Sequence, residues 1–233
     1  MEIFSVDWWK WLSSTAIIIF LLLFIGTRSD EKQKLIIRYG VAGCLFLSAT
    51  LIHPYLYFAG IWSIKTSLPL HLCTIAQLLA IVALINPKQW LFNILVFWGI
   101  GGGINALITP QPLYGSEFPI LLEYFVEHGG IVFTPLFLAL AYDMRPSKNS
   151  WLKIFFVTQI VIVFIALFNY WTGSNYFFLV NKPASQSFFI IGDWPWYLIG
   201  FQVFGFIQFY FIYYIFFKFS IRNNTSSREL KVR

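Results

Sequence analysis

Two cysteines and three histidines are the only thiols and imidazoles in 233 residues. Cys44 sits inside the apolar run Val41-Ala42-Gly43-Cys44-Leu45-Phe46 and reads as a small buried hydrophobe. Cys73 is different. It follows Leu68-Pro69-Leu70-His71-Leu72, which places it within about two turns of a helix N-terminus, where the macrodipole favours a thiolate. His71 is not expected to be its base, because residues two apart on a helix point about 200° apart. A base must come from another helix, and His128, at a similar depth near the start of a later helix, is the natural candidate. Gln77 lies one turn below Cys73 on the same face and is expected to line the site. A thiol activated by an imidazole is the equipment of nucleophilic acyl transfer. A zinc or copper set of His53, His71 and His128 is the competing use of these side chains. No His-x-x-x-His or His-Glu-x-x-His spacing supports it, so neither a metal nor a cofactor is expected.

The elements that must hold these residues are membrane helices. Hydrophobic residues make up 58% of the chain and charged residues 11%, against about 25% charged in a soluble domain. Ten Trp, twelve Tyr and 27 Phe exceed what a soluble core uses and suit aromatic belts at two interfaces. The net charge of +6 does not indicate nucleic acid, because the basic residues lie in short loops between apolar runs. The fold class expected is all-α, a polytopic bundle of about seven transmembrane helices in a single domain, 1–233. The helices are placed at about 8–26, 35–58, 68–86, 90–109, 123–143, 151–172 and 194–220, each near the ~20 residues a bilayer requires. The fifth is the least regular, since Glu123, Glu127 and His128 occupy its first turns. The first is expected to be a retained helix and not a signal peptide, because no small-x-small site follows Ile25 and three indoles precede the run.

Of sixteen Lys and Arg residues, Lys10, Lys65 and Lys182 fall on one side of this arrangement and the other thirteen share a side with the C-terminus. The positive-inside rule then puts the N-terminus outside and the C-terminus in the cytoplasm. The basic tail 221–233 is expected to be a short disordered end on anionic headgroups. With seven crossings, the polar ends of six helices meet near the outer face: His53, His71-x-Cys73, Asn105 with Thr109, Glu127-His128, Asn169-Tyr170 and Trp194-Pro195-Trp196. Polar groups gathered at one membrane depth mark a functional site. Helix ends carry polar residues in any bundle, so an interfacial cap is the plainer alternative. The run Gly99-Ile100-Gly101-Gly102-Gly103 matches no phosphate loop, and close helix packing or local unwinding is expected there.

The segments Leu68 to Cys73, Ala106 to Pro110, His128, and above all Asn169-Tyr170-x-x-Gly173-x-Asn175-Tyr176 with Trp194-Pro195-Trp196-Tyr197, resemble the YwaF-like family of bacterial integral membrane proteins over nearly the whole chain. That family is similar to the eukaryotic transmembrane protein 164 group and, more distantly, to the androgen-induced-gene hydrolases of lipid esters. The resemblance implies phospholipid acyl transfer through a Cys and a His, here Cys73 and His128, in a multi-pass protein of the bacterial cytoplasmic membrane.

Two functions remain open on this reading. One is a lipid acyltransferase or lipid esterase near the outer membrane face, with Cys73 and His128 catalytic, membrane lipid as both solvent and substrate, and no nucleic acid. His71, Gln77, Asn105, Thr109, Asn169, Tyr170, Asn175, Trp194 and Trp196 would contact substrate, and Glu127 or Asp193 would orient the imidazole. The other is a transporter or small-ligand binding protein that uses the same cavity without chemistry. The absence of an inverted repeat and the scarcity of charge inside the spans weigh against transport.

Overall fold

A computed structural model describes residues 1–183 and 190–229, with side chains as far as Phe217. Among the described residues there is no strand. The helices are α1 Val6–Arg28, α2 Glu31–Phe58, α3 Leu72–Ile85, α4 Gln89–Phe97, α5 Gly103–Ile108, α6 Phe118–Ala141, α7 Ser150–Thr172 and α8 Trp196–Glu229. A π-helical turn, Trp98–Gly102, joins α4 to α5 in one rod, Gln89–Ile108. Six rods are long and apolar enough to cross a bilayer, and α3, at 14 residues, is a shorter apolar helix. The result is a polytopic helical bundle.

Local chemistry explains where the elements differ from their expected limits. The carboxylate of Asp30 accepts from Gln33 N at 2.8 Å and the Gln33 amide returns the bond. This capping box starts α2 at Glu31 instead of 35. α3 starts at Leu72, four residues later than expected, because Pro69 and a tight Leu70 N–H to Leu68 carbonyl turn hold the approach out of helix. Its limit moves Cys73 to the second residue of the helix. α6 begins at Phe118 instead of 123, with Pro119 in its first turn, so Glu123, Glu127 and His128 lie well inside a regular helix. α8 opens at Trp196, directly after Pro195. Its backbone stays helical to Glu229, where a disordered tail was expected. The tail's side chains, residues 230–233, and residues 184–189 of the stretch before α8 lie outside the described residues.

The least regular of the expected spans is the centre of the bundle. In α6, 72% of the spanning window is buried inside the protein, against 11% in α1, α7 and α8. Small residues allow this. A methyl group at Gly129 would sit 2.8 Å from Thr15 of α1, and one at Gly130 would overlap Leu45 of α2. Facing them, a methyl group at Gly99 would collide with the Ile131 carbonyl, and at Gly103 it would press on Val132. Membrane helices associate through such close backbone approach, since lipid supplies no hydrophobic drive between them. The glycine run therefore does both things expected of it: it packs tightly and it widens into a π-helical turn.

At the C-terminal end of α3 the buried Arg38 donates from Nε to the Leu84 carbonyl at 2.7 Å and from Nη2 to the Ile85 carbonyl at 3.0 Å. The last carbonyls of a helix have no partner within it, and a guanidinium both satisfies them and suits the negative end of the dipole.

Candidate functional site

Toward the opposite end of α3 a cavity of about 620 Å³ opens among α2, α3, α5, α6, α7 and α8. That size is typical of small-ligand sites. Cys73, His71 and Gln77 line it from α3 and its approach, Asn105 and Thr109 from α5, and Glu123, Tyr124, Glu127 and His128 from α6. The thiol and the imidazole, 55 residues apart in sequence, therefore face one space.

The π-helical turn fits the thiol's surroundings. A methyl group at Gly102 would stand only 3.4 Å from Cys73 Sγ. As the second residue of α3, Cys73 lies where the first backbone N–H groups lack intrahelical acceptors. The cap residue, His71, makes no side-chain bond to them. His71 is extended, with φ −75° and ψ 149°, so the helical divergence expected between His71 and Cys73 does not apply. Both side chains face the cavity, with the His71 ring against Tyr176 and Phe178 at centroid separations of 5.0 and 5.5 Å.

His128 is 5% exposed, and its Nδ1 lies 2.7 Å from the Tyr124 carbonyl oxygen. A carbonyl only accepts, so Nδ1 carries the proton, and in the neutral ring Nε2 holds the lone pair. Among the described residues nothing hydrogen-bonds Nε2. Glu127 Oε2 lies 3.6 Å from Nδ1, too far for a hydrogen bond. A backbone carbonyl therefore orients the ring, where a carboxylate was expected. The other expected orienter, Asp193, is an exposed loop residue paired with Lys182 at 2.7 Å. Two buried acceptors at the cavity have no partner among the described residues, Glu127 Oε1 and Gln77 Oε1. The Gln77 amide nitrogen is used by Ser48 Oγ at 2.9 Å.

Five of the expected substrate contacts do not reach the cavity. Tyr170 is 84% exposed, and the indoles of Trp194 and Trp196 are 63% and 66% exposed. They stand on the outer surface of the helix ends. Asn169 and Asn175 serve the backbone of the loop that follows α7. Asn169 accepts from Tyr176 N and donates to the Tyr176 carbonyl, both at 2.9 Å, while Asn175 Oδ1 accepts from Val180 N and Asn181 N at 3.0 Å. Tyr176, so fixed and fully buried, donates its hydroxyl proton to the Ile64 carbonyl at 2.8 Å and accepts from Leu68 N at 2.9 Å. The Asn-Tyr block thus pins the segment that delivers His71 and Cys73, and it acts on the site at one remove.

Residues missed by the sequence reading include the amides Gln159, Gln202 and Gln208, which line the far wall between α7 and α8. Gln159 donates to Gln202 at 2.9 Å, and Asn105 lies 3.4 Å from Gln208 Oε1. Uncharged amides inside otherwise apolar spans are the signal that could have found them.

The sequence matches the family model of the TMEM164 family over residues 3–213. No curated protein and no solved structure gives a match.

Proposed function

The chain belongs to the TMEM164 family, and from that premise we propose that it is a membrane-embedded lipid acyltransferase or lipid esterase working through Cys73 and His128. The observation that carries this reading is the shared cavity, in which Cys73 faces the same space as an imidazole whose Nδ1 is held by a backbone carbonyl and whose Nε2 has no hydrogen-bond partner among the described residues. His128 Nε2 takes the thiol proton and the Cys73 sulfur adds to the carbonyl carbon of a lipid ester. The adduct collapses, the C–O bond breaks, and the leaving alkoxide takes the proton back from Nε2. A hydroxyl of a second lipid, or water, then gives its proton to Nε2 and attacks the thioester. The acyl group leaves sulfur, and the thiolate recovers the proton.

The backbone N–H groups at the start of α3 and the amide of Asn105 are the donors available to the oxyanion. Losing one such donor typically costs roughly 3 kcal/mol of transition-state stabilisation. Glu127, 3.6 Å from Nδ1, supports the imidazolium by charge. The apolar wall of Phe97, Phe155, Ile162, Leu198 and Phe209 suits an acyl chain. In the same reading the protein is a YwaF-like member of the bacterial cytoplasmic membrane, a single domain with its N-terminus outside and its C-terminus in the cytoplasm, needing no cofactor. The cavity then opens toward the outer leaflet.

The test is turnover of a phospholipid with a fluorescent acyl chain by the purified protein in vesicles. Cys73→Ala and His128→Ala are each expected to lower it by on the order of 10⁴-fold or more, and an alkylating lipid probe should label Cys73 only while His128 is present. Full turnover in Cys73→Ala overturns the reading. Solute flux into liposomes that survives Cys73→Ala would establish the binding function instead.

A further inference from the structure

The cavity is enclosed unevenly. α3, α7 and α8 each pack on the rod Gln89–Ile108, which lines the cavity with Phe97, Gly102 and Asn105. α2 packs on α3, and α7 packs on α8, but among the described residues no comparable packing joins α2 or α3 to α7 or α8. The two helix pairs are therefore separate walls on a shared support. Loops tie these walls together at the end where Cys73 lies. Tyr176, after α7, is bonded through its hydroxyl to the Ile64 carbonyl and Leu68 N of the α2–α3 connection. Tyr114, from the connection before α6, donates to the Thr66 carbonyl at 2.6 Å. Leu68, Tyr114 and Phe178 all line the cavity, so these loops roof it.

Farther down the spans nothing comparable ties the walls. Phe46 and Thr50, midway along α2, and Leu78, midway along α3, line the cavity and are also exposed on the outer surface, Phe46 by 56% and Leu78 by 42%. A side chain that belongs both to a cavity and to the outer surface marks the rim of an opening. Phe155, Gln159 and Ile162 of α7 line the cavity from the other wall. At this depth a membrane protein is surrounded by hydrocarbon. The polar groups near the rim are already satisfied, as that setting demands. Thr50 Oγ1 donates to the Phe46 carbonyl at 2.8 Å, and Gln159 donates to Gln202 at 2.9 Å.

We infer that the gap between the α2–α3 pair and the α7–α8 pair is a lateral port, through which an acyl chain of a bilayer phospholipid passes from the hydrocarbon into the cavity. A chain that took this route would keep its methylenes out of water throughout, whereas entry through the roof would expose them. Inside, it would lie along Phe97, Phe155 and Phe209 while its ester stands near Cys73 and His128. The inference rests on the reading of the cavity as a lipid site, but it concerns passage and needs no turnover.

The test uses full-length protein carrying Cys73→Ala in phosphatidylglycerol vesicles that contain a phospholipid with a diazirine at the end of one acyl chain. After illumination the labelled residues are mapped by mass spectrometry. Labelling is expected at Phe97 and Phe209, which line the cavity and are buried from the surrounding bilayer. Thr50→Trp and Leu78→Trp each narrow the port and should lower this interior labelling roughly tenfold, since a filled gap in a packed structure leaves no room for a chain. Val163→Trp, at an exposed α7 position outside the cavity lining, should leave it unchanged. Phe46→Ala widens the port and should speed interior labelling, a gain that damage to the fold would not produce. Labelling confined to the outer surface overturns the inference, and so does interior labelling that neither tryptophan lowers. Turnover by the unsubstituted chain is measured separately. Interior labelling without turnover would leave the port standing and remove acyl transfer alone, while turnover without interior labelling would remove the port alone.

Discussion

At one end of α3, Arg38 delivers two short hydrogen bonds to the Leu84 and Ile85 carbonyls and lies over the Tyr142 ring at 5.2 Å. At the other end, Cys73 stands at an uncapped helix start, and among the described residues nothing hydrogen-bonds His128 Nε2 or the buried oxygens Glu127 Oε1 and Gln77 Oε1. One helix therefore joins a saturated end to an unsaturated one. Buried polar groups normally find partners, and the exceptions concentrate where a ligand or a reaction completes the set. Stability and function have been assigned to opposite ends of one short element, and substitutions at the two ends should separate them.

Arg38→Ala should have the largest effect on stability. It leaves the buried Leu84 carbonyl and the part-buried Ile85 carbonyl without their donor, the buried one worth about 1–3 kcal/mol and the other less, so unfolding in detergent should come about 2–4 kcal/mol earlier. Turnover per folded molecule should hold. Thermal or denaturant unfolding followed beside the lipid assay checks both, and a variant of unchanged stability with impaired turnover would break the division of labour between the ends.

Tyr176→Phe addresses the unsaturated end through the loop that supports it. The substitution removes the acceptor of Leu68 N and the donor to the Ile64 carbonyl. The cost is about 1–3 kcal/mol, felt in the segment that sets His71 and Cys73. Turnover should fall by roughly tenfold, mostly in kcat, with global stability reduced less than in Arg38→Ala. The reverse ranking of the two variants in stability would show that the loop belongs to the folding core and not to the site.

The helices were legible in sequence because bilayer solvation leaves long apolar runs, and counting crossings led to the expectation that Cys73 and His128 share one depth; both line the same cavity. The roles of individual polar residues were not legible. Arg38 reads as one more orientation charge, yet it is buried against the end of α3. Asn169 and Trp194 share one sequence block, but the first is buried in backbone hydrogen bonds and the second is exposed. Depth along the membrane can be read from sequence spacing. The direction in which a helix faces its neighbours depends on contacts such as Gly130 on Leu45 and Gly99 on Ile131, which no spacing rule supplies. The Glu127 carboxylate shows the same limit: placed in the first turns of a span it suggests a weak helix, and only packing reveals it inside the most buried one.

The smallest effect is expected where the two ends communicate, at Gln77. This residue is fully buried midway along α3, with its amide nitrogen 2.9 Å from Ser48 Oγ and 3.3 Å from the Leu45 carbonyl. Ser48→Ala removes one acceptor from that nitrogen and leaves the other, so the loss should be near 1 kcal/mol. The consequence should exceed the energy in one respect. With Ser48 absent, the amide is free to rotate and present N–H to the cavity where it now presents an unpaired oxygen. A lipid headgroup or acyl carbonyl would then meet a donor instead of an acceptor, and KM should shift by a few fold while kcat and unfolding stay close to their original values. If kcat moved and KM did not, Gln77 would belong with the reacting groups around Cys73, and the boundary between the saturated and unsaturated parts of α3 would lie one turn deeper than Ser48 marks it.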